Sequence, residues 1–102
     1  MIKSFRDITL TIAELEALKH LLATARRKKQ YACLIANLYD SRFTVDIRFC
    51  MTYLSGEGGD TRLKDAVLLV LRLAEQGIES HEYFGQETVE DLIAKWSMRE
   101  LD

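Results

Sequence analysis

Residues 42–54 alternate in polarity without a break. Phe43, Val45, Ile47, Phe49, Met51 and Tyr53 take every second position, and Arg42, Thr44, Asp46, Arg48, Cys50 and Thr52 lie between them. A period of two puts all the large apolar side chains on one face of an extended chain, so the pattern predicts a strand. Its length calls for a bulge or a bend. The preceding stretch, residues 31–38, reads two ways. Tyr31, Leu34, Ile35 and Leu38 fit a helical stripe. A turn at Asp40-Ser41 instead sets Leu38 opposite Phe43, Ala36 opposite Val45, Leu34 opposite Ile47 and Ala32 opposite Phe49. All four pairs then share one apolar face, as a stable register requires. Asp-Ser is a weaker turn signal than Asn-Gly or Asp-Gly, yet the register favours an antiparallel hairpin.

Three helices are predicted around it. Thr11 and Glu14 form a capping box, in which each side chain satisfies an orphan backbone donor of the other residue. Behind it Ile12, Leu15, Leu18, Leu22 and Ala25 recur at helical spacing, and Leu10 and Leu15 are placed for a hydrophobic staple. This helix, 11–28, ends in the cations Arg26, Arg27, Lys28 and Lys29, which suit the negative end of its dipole. A second helix, 61–76, carries Leu63, Ala66, Val67, Val70, Leu73 and Ala74 on one stripe, and Leu68, Leu69 and Leu71 extend apolarity almost all round. Such a helix is covered on more than one side. Asp60 or Thr61 is its cap, and Gly77-Ile78 has the form of a Schellman stop. A third helix, 89–99, has Thr88 as cap and a stripe of Val89, Leu92, Ile93 and Trp96. Ile8–Leu10 and Ser80–Tyr83 are short extended candidates. The order α-β-β-α-α predicts an α+β domain, with a small hairpin-based sheet covered by three helices. At 102 residues the chain is one domain.

Charge and cysteine content narrow the function. The net charge of −2 disfavours a strongly basic nucleic-acid binder. The halves differ: residues 1–54 hold nine basic and five acidic groups, residues 55–102 five and eleven. Such polarity can orient an encounter with a charged partner or with a second copy. The longest apolar run, Ala66–Leu71, is far short of a membrane span. No apolar stretch follows Lys3 and Arg6, so no signal peptide is expected. Cys33 and Cys50 are too far apart for a CxxC pair and too few for a disulfide framework, which points to reduced thiols and a cytoplasmic setting.

No residue string resembles the signature of a known family. The glycine-bearing segment Ser55–Thr61 lacks both the Walker and the GxGxxG spacing, and Glu57 and Asp60 would repel phosphate. His20 and His81 have no ligand partner at metal spacing, so neither a metal nor a cofactor is expected. A small enzyme would need Cys33 or Cys50 brought beside a histidine. Glu79, Glu82, Glu87, Glu90 and Asp91 read as a solvated acidic face that can also dock on a basic partner. Tyr83 and Phe84 lie outside the periodic segments and serve either as core anchors or as interface residues.

The favoured reading is a small non-catalytic interaction protein, an adaptor, regulator or inhibitor that acts through protein–protein contacts as a homodimer. Its expected partner face is Tyr83, Phe84, Glu87, Glu90 and Asp91, and the outer side of helix 61–76 or an open hairpin edge is the expected dimer contact. Small motif-free domains of this kind occur among phage- and plasmid-encoded inhibitors, an association by class alone. The alternative is a nucleic-acid-binding regulator that uses Arg26, Arg27, Lys28 and Lys29 on phosphates.

Overall fold

The computed structural model describes residues 3–5, 8–54 and 61–98. A short antiparallel ladder opens it, β1 (Lys3–Phe5) with β2 (Ile8–Leu10), in the register Lys3–Leu10, Ser4–Thr9 and Phe5–Ile8. Six helices follow among the described residues: α1 (Ile12–Ala25), α2 (Lys29–Asn37), α3 (Ile47–Leu54), α4 (Thr61–Glu75), α5 (Ser80–Phe84) and α6 (Gln86–Lys95). The protein is therefore mostly helical. The α+β expectation of a hairpin-based sheet covered by three helices is overturned, because the predicted strand 31–38 falls in α2, all but its last residue helical, and the predicted strand 42–54 is helical from Ile47 on.

The helical stripe of residues 31–38 wins over the hairpin register. Tyr31, Ala32, Leu34, Ile35 and Ala36 of α2 are all buried, on more sides of the helix than one sheet face could cover. A helix bonds its backbone internally, so it can sit in an apolar centre, whereas a hairpin there would leave edge groups unpaired. α2 occupies that centre and packs against α1, α3 and α6.

The alternation of 42–54 breaks at Asp46. The Asp46 carboxylate accepts from the Phe49 backbone N–H at 2.9 Å, an N-cap bond that starts a helix where a strand was expected. The consequence is an inversion. Ile47 and Phe49 are 41% and 49% exposed, while Cys50, expected on the polar face, is fully buried. Asp40 makes no hairpin turn either. Its carboxylate receives both the Arg42 backbone N–H (3.0 Å) and the Arg42 guanidinium (2.7 Å).

Other boundaries also move. α1 begins at its capping box, with Glu14 N donating to Thr11 Oγ1 at 3.1 Å and Thr11 N to Glu14 Oε1 at 2.9 Å. It ends at Ala25, however, so Arg26, Arg27 and Lys28 form the junction between two helices and Lys29 begins the second, instead of all four making the last turn of one. Ser80–Phe84 is helical, not extended, and Ile8–Leu10 is a strand. The last helix starts at Gln86 after Gly85, which has φ +91°, so Thr88 lies inside it and is not its cap. The Schellman stop after α4 is present: Ile78 N bonds Leu73 O, Gly77 N bonds Ala74 O, and Gly77 has φ +80°. The expected cap at Asp60, the loop 55–60 and the chain beyond residue 98 lie outside the described residues.

Side chains from distant helices satisfy helix-end carbonyls that have no partner within their own helix. Trp96 Nε1 donates to Ala25 O at 3.0 Å, which closes α1. Ser80 closes α2 twice, with Oγ donating to Ile35 O at 2.6 Å and its backbone N to Leu38 O at 3.0 Å. The Tyr31 hydroxyl reaches the Cys50 carbonyl at 3.0 Å and ties α2 to α3.

Candidate interaction surface

α4 has two unlike sides. Leu63, Ala66, Val67, Leu69, Val70 and Leu73 are buried. Arg62, Asp65, Leu68, Arg72 and Glu75 are exposed, with Leu68 at 48%. α1 packs beside α4 and supplies the small residues Ala13 and Ala17 one turn apart. Short side chains there leave an open groove of about 790 Å³ between the two helices. Leu68 and Leu69 line its α4 wall, and Glu14, Glu16, Arg62, Asp65 and Arg72 carry its charge. Ile12, in the first turn of α1, is 56% exposed. Ile47 and Phe49 on α3 are the other large apolar side chains open to solvent among the described residues.

One ion pair spans the groove helices: the Arg72 guanidinium donates to Glu14 at 2.6 Å. Glu14 thus caps α1 with one oxygen and holds α4 with the other. The Thr11 backbone N–H chiefly, and then the Arg72 side chain, hold its carboxyl below the usual carboxylate range.

The expected acidic-aromatic face divides. Tyr83 is buried, and its ring stacks obliquely on half-buried Phe84 with centroids 4.9 Å apart. Burial pushes the Tyr83 hydroxyl's pKa well up. This pair anchors α5 to the core. Glu87, Glu90 and Asp91 lie exposed on α6. Glu90 accepts from the Tyr39 hydroxyl at 3.1 Å, and the Tyr39 ring meets His81 edge-on at 5.3 Å. Asp91 lines a small hollow of about 170 Å³ together with Arg26 and Lys95.

The basic run lies at a helix–turn–helix junction, where Arg26 caps α1 and half-buried Lys28 precedes α2. Arg27 Nε turns back to Ala23 O at 3.4 Å. The geometry resembles a DNA-reading pair only in outline. A recognition helix must enter the major groove, and α2 is packed among three other helices.

The thiols are poorly placed for nucleophilic work, which needs the thiolate. Burial raises the Cys33 pKa against a weaker opposing effect of Lys29. Burial, with smaller contributions from Asp46 and Cys33, pushes Cys50 up to about 11. Cys50 Sγ meets the Gln30 carbonyl at 3.7 Å, and His81 meets Tyr39. Among the described residues no three His, Cys, Asp or Glu side chains converge as a metal set. No helix of the described residues is long and apolar enough to cross a membrane. Comparison with known proteins gives no matching family model, no matching curated protein and no matching solved structure.

The groove was half legible in sequence. The excess apolarity of helix 61–76 marked α4 as needing cover on a second side. Its α1 wall was not foreseen. The available signal was Ala13 and Ala17 at i, i+4, two small residues on one side of a helix beginning.

Proposed function

We propose that this protein works through protein–protein contact, with the α1/α4 groove as its contact surface. The observation that carries this reading is the exposed Leu68 in a groove whose rim alternates Arg62, Asp65 and Arg72. Apolar residues within a charged rim are the common anatomy of a protein interface. The open trough between two helices suits an amphipathic helix laid along it. The fold's polar groups support the same division of labour. Ser80 and Trp96 are spent on closing helix ends and Tyr31 on tying α2 to α3, while the groove's charged side chains stay at the surface.

A photo-crosslinking amino acid placed at Leu68 tests this in cells that make the protein. The control carries it at Ala94, exposed on α6. The reading predicts a discrete protein adduct, or a dimer of the chain, from position 68 and none from position 94. Equal adducts from both positions, or none from position 68, would overturn it.

A further inference from the structure

We infer that the groove's occupant is a second copy of this chain, docked through antiparallel pairing of α4 with α4 about a two-fold axis between Leu68 and Leu69. The inference rests on the reading of the groove above and names what fills it.

The charge order of the helix favours this pairing. Two antiparallel helices related by a two-fold axis meet at positions equidistant from that axis. Counting outward from the midpoint of 68 and 69, Leu68 falls opposite Leu69 and Asp65 opposite Arg72, and Glu75 falls on the flank that carries Lys64 of the second copy. Lys64, Asp65, Leu68, Arg72 and Glu75 are all exposed, and Leu69, only 5% exposed, forms the floor of the groove. Both charged pairs are of opposite sign, and symmetry makes each twice. Arg62 falls on the other flank, toward Gln76 of the second copy, so it meets no cation. Parallel packing would set Asp65 on Asp65 and Arg72 on Arg72, so the charge order selects the antiparallel arrangement. Arg72 already holds Glu14 of its own chain at 2.6 Å, and the second copy's Asp65 completes a carboxylate on its other side.

The size of the contact sets its strength. α4 has 15 residues, about 22 Å of helix at the usual rise. A pair of such helices, with the adjoining α1 edges, falls in the small class of interfaces that associate weakly and reversibly. The dimer is therefore expected to form and dissociate within the micromolar range.

Sedimentation equilibrium of the full chain, from about 5 to 500 µM, reads it directly. The mean mass should climb from 11.8 kDa toward twice that value. Leu68→Glu should hold the chain at the monomer mass throughout, with an unchanged circular dichroism spectrum because the side chain is exposed. Lys64→Glu and Glu75→Lys should each weaken self-association about fivefold to tenfold, since each sets two like-charged contacts in the dimer. Mixed in equal amounts, these two variants should regain wild-type association, because every contact in the mixed dimer is again of opposite sign.

A wild-type chain that stays monomeric overturns the second-copy inference. If the crosslinker at Leu68 still yields a specific adduct with another protein, the reading of the groove stands. A dimer that ignores Leu68→Glu and both charge variants overturns the inference too. If position 68 then also gives no adduct, both proposals fall.

Discussion

α2 and α4 are both rich in apolar residues, yet they do opposite jobs. α2 is short, has no side-chain N-cap bond, and buries Tyr31, Ala32, Leu34, Ile35 and Ala36 among three neighbouring helices. α4 is longer, buries one stripe and turns Leu68 outward between charges. The difference teaches where a small helical protein keeps its stability and where it keeps its free surface. A helix that buries most of its apolar side chains among its neighbours, with only Lys29, Gln30, Cys33 and Asn37 reaching solvent, has no large apolar side chain left to offer a partner. A helix covered on one side can spend the other on contact, at little cost to the fold.

The largest effect should come from the centre. Ile35 is fully buried, and its carbonyl receives the Ser80 hydroxyl. Ile35→Ala should cost about 2–5 kcal/mol, the usual range for a cavity of this kind, and urea unfolding measures it. A cost below about 1 kcal/mol would mean that α2 is not the centre of the packing. Next comes the tie between α2 and α3. Tyr31→Phe removes the donor to the buried Cys50 carbonyl and should cost about 1–2 kcal/mol in the same assay. A neutral result would put α3 outside the cooperative unit.

At the edge of the groove the effects shrink. Thr11→Ala removes a capping-box acceptor and should cost about 1 kcal/mol in unfolding midpoint. Glu14→Gln tests the ion pair to Arg72 as a function of pH. Because the folded-state pKa of Glu14 is lowered, its contribution is present above the unfolded value and lost as pH falls through the folded one. Wild type and variant should differ by about 0.5 kcal/mol at pH 7, a modest figure because the pair is solvent-exposed. The two should converge below the unfolded carboxylate value, and a gap that widens there would reverse the sign of the account. Smallest of all, Leu68→Glu should leave monomer stability within about 0.5 kcal/mol of wild type, as exposed positions do. A large loss would mean that Leu68 serves the core and not the surface.

Part of this division was readable from residues alone. The capping box at Thr11 and Glu14 and the Schellman stop at Gly77-Ile78 announce helix ends by local chemistry, and both are where expected. Residues 31–54 misled because two periods coincide there. Leu34 and Ile35 fit a helical stripe, while Leu34 and Ile47 fit a hairpin rung, and only tertiary cover decides between them. Asp46 held a usable local signal, since an Asp that caps the residue three positions later starts a helix whatever the alternation around it. The Ser80 clamp on α2 was hidden, because it joins residues 45 positions apart. The groove shows the same limit. Its α4 wall is a pattern within one helix, but its α1 wall exists only once the two helices are side by side.

The central claim is that α4 meets a second copy through its outer face while the buried side of α2 holds the fold. Methyl nuclear magnetic resonance of Leu- and Ile-labelled protein across a dilution series tests both halves at once. The account predicts that the Leu68 methyl signals move steadily with concentration while those of Ile35 stay fixed. Stationary Leu68 methyls at every concentration, or shifts at Ile47 in their place, would contradict it.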